Sequence, residues 1–165
     1  REIVEKGQPA LAQIQSAFGD WVLLESGELN RKALREHIFQ HPFARQQLEE
    51  ITHPAIRQSI IVQLEQANSP YVILVSPLLF ETNQHLLTQR TLLIDASIEL
   101  QIQRASQRDG QSVAQIENII QAQMPRDRKL DLADDIAIND GHLEHLYTQL
   151  QKLHLHYLEL SFSTK

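Results

Sequence analysis

Tyr71-Val72-Ile73-Leu74-Val75-Ser76-Pro77 is where the character of the chain changes. Five consecutive aromatic or aliphatic residues ended by Ser-Pro predict a strand buried on both faces, the kind a parallel sheet requires. Working outward, a second run, Thr91-Leu92-Leu93-Ile94-Asp95-Ala96, follows after about one helix length. A third and shorter one, Asp135-Ile136-Ala137-Ile138-Asn139, follows two more helices. Strands alternating with helices predict an α/β fold with a doubly wound parallel sheet. The last helix, from Gly141 to about Leu160, carries Leu143, Leu146, Leu150, Leu153, Tyr157 and Leu160 on one stripe. That stripe is expected to pack on the sheet, because two and a half heptads is short for a coiled coil.

Upstream of Tyr71 the sequence reads as helical. Leu11, Ile14 and Phe18 share a helix face over Pro9–Phe18, which Gly19 ends. Asn30 is placed to cap a helix carrying Leu34 and Ile38, and His41-Pro42 ends it. A further helix from about Phe43 is expected to break at Thr52-His53-Pro54. There Thr52 caps a new helix whose buried face is Ile56, Ile60 and Leu64. Asn68-Ser69-Pro70 closes this part.

The 165 residues suit one domain of ordinary size, and with no cysteine they exclude a disulfide framework, thiol catalysis and cysteine-rich zinc sites. No apolar run reaches the roughly 18 residues that span a bilayer, and no signal-peptide core is seen. A cytoplasmic protein without membrane partners is expected. The formal charge of −6 argues against a non-specific nucleic-acid surface. Within that acidic total, ten arginines outnumber five lysines and group as Arg31/Arg35, Arg104/Arg108 and Arg126/Arg128. Arginine suits planar, bidentate grip on phosphate or carboxylate, so a local anionic ligand is one reading of these groups.

Ligands of open parallel sheets bind beyond the carboxyl ends of the strands. Here those ends are Ser76–Glu81, Asp95-Ala96-Ser97 and Asn139-Asp140-Gly141. Each has a plain alternative: Asp95 ends a strand, Glu81 is a solvated first-turn carboxylate, and Asn139-Asp140-Gly141 is a turn and helix cap. Ser97 is placed to cap a helix with Arg104 and Arg108 on one face, which Asp109-Gly110 breaks. Ser112 starts another, with Val113, Ile116 and Ile120 inside, and Pro125 restarts the chain at Arg126. Short helices hinged at Gly110 and Pro125 and bearing arginines suit a lid over phosphates, or equally an exposed charged hairpin. His37 and His41 have metal-ligand spacing but no third ligand, so no metal site is expected. His142, His145, His154 and His156 share no face and read as solvated.

Six segments in register resemble bacterial dephospho-CoA kinase, a P-loop kinase family. They are Arg1–Gly7, Arg31–Phe39, Thr52–Ile56, Ser76–Glu81, Gln103–Gly110 and Ala133–Gly141. The resemblance runs from residue 1 to about 160. It implies transfer of the γ-phosphoryl of ATP to the ribose 3′-hydroxyl of dephospho-CoA, with Mg2+, on a P-loop kinase-like parallel sheet. It further implies a helical acceptor part over 1–70, core strands and helices over 71–108, a lid over 109–132, and the last strand and helix over 133–165. By resemblance Arg126 closes onto the transferring phosphoryl, Arg104 and Arg108 flank the ATP side, and Asn139 and Gly141 lie near the adenine. Arg1, Arg35, His53, Arg57, Pro77, Leu78, Phe80 and Glu81 shape the acceptor site. A monomer or weak homo-oligomer is expected.

The match has a gap. No G-x-x-x-x-G-K-[ST] occurs in these residues, nor does the family's Asp-Ala-Asp segment. Both would precede Arg1, as would the family's first strands, whose P-loop strand lies between the runs at Tyr71 and Thr91. The expectation is therefore three strands here around a slot, with the Mg2+ ligands upstream and no catalysis by these residues alone. Two other functions fit the same patterns: another small-molecule P-loop kinase, and a non-catalytic helical binding module.

Overall fold

In the computed structural model, which describes residues 2–163, the chain forms two units, Arg1–Ala67 and Asn68–Lys165. In the first, α1 (Pro9–Phe18) opens with Pro9, where a missing N–H is harmless. It stops at Gly19, whose φ of 92° is disfavoured for any residue with a Cβ. The Asn30 side chain accepts from the Ala33 N–H at 3.1 Å and caps α2 (Arg31–Gln40). Val4, Ala10, Ile14, Val22 and Leu34 form the core between these elements, with Ile14 and Val22 wholly buried.

The expected break at Thr52-His53-Pro54 does not occur. Instead α3 (Pro42–Glu65) runs through it for 24 residues with Pro54 inside. The Thr52 hydroxyl donates back to the Leu48 carbonyl at 2.8 Å rather than capping a new helix. Pro54 has no N–H to give the carbonyl four residues earlier. The helix continues because Leu48, Ile51 and Ala55, at helical spacing, all pack against the core. A break would remove at least one of them.

In the second unit, β1 (Leu92–Asp95) and β2 (Asp135–Ile138) pair in parallel, Leu92 opposite Asp135 and Asp95 opposite Ile138. Between them run α4 (Ile98–Asp109), α5 (Val113–Gln121) and α6 (Arg126–Leu132), and α7 (Leu143–Ser163) follows β2. The caps are those the sequence predicts. Ser97 accepts from the Leu100 N–H, Gly110 takes a left-handed φ of 64°, and Ser112 with Gln115 makes a capping box.

The strand expected at Tyr71–Ser76 is absent, so the sheet among the described residues has two strands rather than three. A strand exists through its ladder, and nothing described pairs with this segment. Val72, Ile73 and Val75 are accordingly exposed, Val75 at 87%. The segment is tied only at its start, where Ser69 Oγ donates to the Tyr71 carbonyl at 2.7 Å and the Tyr71 hydroxyl meets His154 Nδ1 at 2.6 Å.

The ladder also decides the sheet edges. The Asp135 N–H donates to the Thr91 carbonyl and the Asn139 N–H to the Asp95 carbonyl, so the odd-numbered residues of both strands turn their backbone N–H and C=O groups toward the partner strand. Ile138 turns its backbone outward, where the Gln149 side-chain amide of α7 accepts from its N–H at 2.9 Å and donates to its carbonyl at 3.0 Å. That one amide stands in for a neighbouring strand.

Candidate functional site

Because β1 and β2 are parallel, both carboxyl ends open on the same side, and a cleft of about 730 Å3 lies there. Its floor is Leu93–Ala96 of β1. Its walls come from Ile98, Gln101 and Arg104 of α4, from Ile120, Gln121, Gln123 and Met124, and from Pro125, Arg126, Asp127 and Lys129, with Asn139 after β2.

Asp95 closes β1 with only 5% of its surface exposed. Both carboxylate oxygens are taken by one guanidinium: Arg126 Nε donates to Oδ1 at 2.8 Å and Nη2 to Oδ2 at 2.5 Å. This fork is the strongest arrangement open to the two groups. The Asp95 partner holds the Arg126 cation even above its ordinary arginine range. Arg126 is placed for the contact by Pro125, which starts α6 and makes Arg126 its first residue.

Glu81 holds the chain just before α6 and within it. Its Oε1 accepts from the Met124 N–H at 2.9 Å and lies 3.3 Å from Lys129 Nζ, which also donates to Gln123 Oε1 at 3.1 Å. Burial opposes the charge on Glu81, but the Met124 N–H and the Lys129 ammonium outweigh it. The carboxyl therefore sits below its usual range. Two acidic side chains thus fix residues 124 to 129. Across the cleft, Arg104 Nη1 donates to the Asn139 carbonyl at 2.7 Å.

The residues singled out from the sequence are placed unevenly. Arg104, Arg126 and Asn139 line one cleft. Arg108 does not: it points along its own helix end and forks onto Asp109, exposed to solvent. Gly141 lies at a shallow surface depression with His142, Leu143 and Glu144. Pro77 and Leu78 are exposed on the loop after Ser76, whereas Phe80 is buried with its ring against His85 at 5.3 Å. Arg35 on α2 and His53 and Arg57, one turn apart on α3, are all exposed in the first unit. Arg1 lies outside the described residues. Sequence reasoning named Asp95 only as a polar strand end and did not single out Lys129 or Gln123. Their partners lie across the fold or across the hinge, and only Asp95 carried a signal, its position at a strand's carboxyl end.

His37 is held among rings, 5.0 Å from Trp21 and 4.5 Å from His41 between centroids. No group of three metal-ligating side chains occurs among the described residues.

The sequence profile of a family described as dephospho-CoA kinase matches residues 1–145. The chain is 70% identical over 158 residues to a dephospho-CoA kinase of Acinetobacter baylyi, covering 96% of this chain and 81% of that protein. It is 46% identical over 167 residues to one of Psychrobacter cryohalolentis, covering 99% and 73%. Among solved structures, dephospho-CoA kinase from Campylobacter jejuni superposes with a TM-score of 0.68 at 27% identity, over 99% of this chain and 82% of that one. TT1252 from Thermus thermophilus gives 0.72 at 30% identity, over 88% and 73%.

Proposed function

The chain belongs to the dephospho-CoA kinase family, and from that premise we propose that the cleft beyond β1 and β2 is where its phosphotransferase chemistry is assembled. The family is a kinase acting with ATP on dephospho-CoA. The reaction carried over to this chain is transfer of the γ-phosphoryl of ATP to the ribose 3′-hydroxyl of dephospho-CoA. Such a transfer asks little covalent chemistry of the protein and depends on positioning and on neutralising charge on the moving phosphoryl.

One observation carries the reading. Arg104, Arg126 and Asn139, separated by up to 35 residues in sequence, line a single cleft at the carboxyl ends of parallel strands. Arg126 supplies the charge that faces the phosphoryl oxygens. Arg104 and Asn139 bound the nucleotide side. Leu78 and Glu81 of the second unit serve the acceptor, and the family resemblance assigns the same role to Arg35, His53 and Arg57, which are exposed on the first unit. Arg108 and Gly141 support the nucleotide side only at a distance from the cleft itself.

Mg2+ accompanying the nucleotide belongs to the same proposal, but the described residues do not fit it. They form no three-ligand cluster, and of the two carboxylates lining the cleft, Asp95 is engaged by Arg126, leaving a single further one, Asp127. No step here runs through the ion. No helix among the described residues is long and apolar enough to cross a membrane. A cytoplasmic monomer or weak homo-oligomer without nucleic-acid partners completes the proposal.

Steady-state kinetics with ATP and dephospho-CoA test it. Arg126→Ala in the active full chain lowers kcat by about 10²-fold or more if its charge is felt in the transition state. A loss below about threefold removes it from that role.

A further inference from the structure

Arg126 presents a difficulty that the proposed role does not resolve by itself. A guanidinium forked onto a carboxylate has most of its charge answered already, so how does it serve a phosphoryl group? Two answers exist: it leaves Asp95, or it acts from where it sits.

The geometry favours the second. A guanidinium carries five N–H donors. The Asp95 fork uses one on Nε and one on Nη2, leaving the second hydrogen of Nη2 and both on Nη1. No described residue accepts from Nη1, and 40% of the Arg126 side chain is exposed toward a cleft that it lines. Departure would be costly for the partner. The Asp95 side chain is 5% exposed and among the described residues its carboxylate accepts from Arg126 alone, so an outward swing would strand a buried carboxylate. The lid backbone gives no slack either, since Glu81 pins Met124 two residues before Arg126.

We propose that Asp95 is a positioning residue for phosphoryl transfer. It holds Arg126 side-on through Nε and Nη2 so that the remaining three donors present a preset, planar edge to the phosphoryl oxygens, and the pair stays formed when nucleotide binds. This rests on the role proposed for Arg126. It goes beyond that role in naming what orients the arginine and in denying that it swings. The rigid fork also explains why a lysine would not serve, having no planar edge to orient.

The test is a double-mutant cycle in the active full chain. Asp95→Asn keeps the side-chain shape and one acceptor but loses the charged fork. It is expected to lower kcat about tenfold or more while KM for ATP and for dephospho-CoA stays within twofold. Placed on Arg126→Ala, the same change is expected to alter kcat by less than twofold, because Asp95 acts only through Arg126. A normal kcat for Asp95→Asn beside a depressed Arg126→Ala overturns this inference and leaves the role of Arg126 standing. A normal kcat for Arg126→Ala overturns both. An Asp95→Asn variant faster than the parent makes Asp95 a restraint and overturns the inference as well.

A second measurement covers a variant that does not fold. In 15N spectra of the unaltered protein, the Arg126 Nε–H, assigned from Arg126→Lys, is expected to be protected from exchange. It should remain so with a non-hydrolysable ATP analogue bound. Loss of protection on binding the analogue refutes the fixed fork.

Discussion

Removing the carboxylate of Asp135 should loosen the amino ends of the strands without touching the cleft. Arg90 forks onto Asp135 with both bonds at 3.0 Å, and the Tyr157 hydroxyl of α7 donates to the same carboxylate at 2.9 Å. The side chain of Asp135 is 12% exposed and that of Arg90 37%. Arg90 can therefore turn to water, and its share is held to less than about 1 kcal/mol. The Tyr157 hydroxyl is half-buried, and losing a charged acceptor there costs about 1–2 kcal/mol. Asp135→Ala is thus expected to destabilise by about 2 kcal/mol, or about 4–8 °C in Tm for a chain of this size. Tyr157→Phe removes only the second bond and should give about half of that. Because both changes break the same contact, the double variant should fall short of their sum by about 1 kcal/mol. Circular-dichroism melts at pH 7 read all three. A shift below about 1 °C for Asp135→Ala, or strict additivity with Tyr157→Phe, would refute the reasoning. The sign with pH follows from the same contacts. The Arg90 fork, and then the Tyr157 hydroxyl, hold Asp135 below its usual carboxyl range against the effect of burial. The folded state therefore binds fewer protons than the unfolded one. Its advantage is complete above the ordinary aspartate value of about 4 and is lost as pH falls through the lower folded value. The gap between parent and Asp135→Ala should accordingly narrow as melts are taken to pH progressively below the ordinary aspartate value.

Two other expectations follow from the hinge and the first unit. Glu81→Ala removes the acceptor for the Met124 N–H and the partner of Lys129, so hydrogen exchange at Met124 should speed up about tenfold or more by mass spectrometry; unchanged exchange would mean that Glu81 does not hold the hinge. His53→Ala and Arg57→Ala should raise KM for dephospho-CoA severalfold with kcat within about threefold, and an unchanged KM would return both to the solvated face of α3.

What the sequence disclosed was mostly local. Asn30, Ser97, Gly110 and Ser112 mark helix ends through groups within three or four residues, and each sits in the cap that its chemistry predicts. β1 and β2 were legible as apolar runs, and their parallel pairing followed from the helices between them. Errors arose where a distant partner decides. Tyr71–Val75 has the composition of a strand, but composition supplies no ladder, and the described residues supply none to that segment. Thr52-His53-Pro54 has the local signature of a helix start, yet Leu48, Ile51 and Ala55 need one continuous helix to reach the core together. At the cleft, the sequence grouped Arg104 with Arg108 and Arg126 with Arg128, whereas in the structure Arg104 and Arg126 line the cleft and Arg108 does not. Its fork to the adjacent Asp109 is a matter of one residue's spacing at a helix end.

Both ends of the sheet are closed by an arginine forked onto a strand aspartate, and they differ in what surrounds the fork. At the amino ends, every charged group has a partner within the fold. Thr91 gives its N–H and hydroxyl to Asp134 at 2.8 Å each, and Asp135 is enclosed by Arg90 and Tyr157. At the carboxyl ends, the protein supplies cations with donors left over: Arg126 keeps three N–H groups beyond its fork, and Arg104 uses Nη1 alone on Asn139. A buried carboxylate such as Asp95 is unfavourable unless paired, so its pairing to Arg126, the first residue of α6, fixes that helix as well as neutralising the charge. Parallel strands make such an arrangement possible, because only they deliver their carboxyl ends, and the helices that follow, to the same side. An anion entering there meets spare donors of Arg104 and Arg126 together, whereas at the amino ends the spare donors are those of Arg90, forked onto Asp135 in the same way.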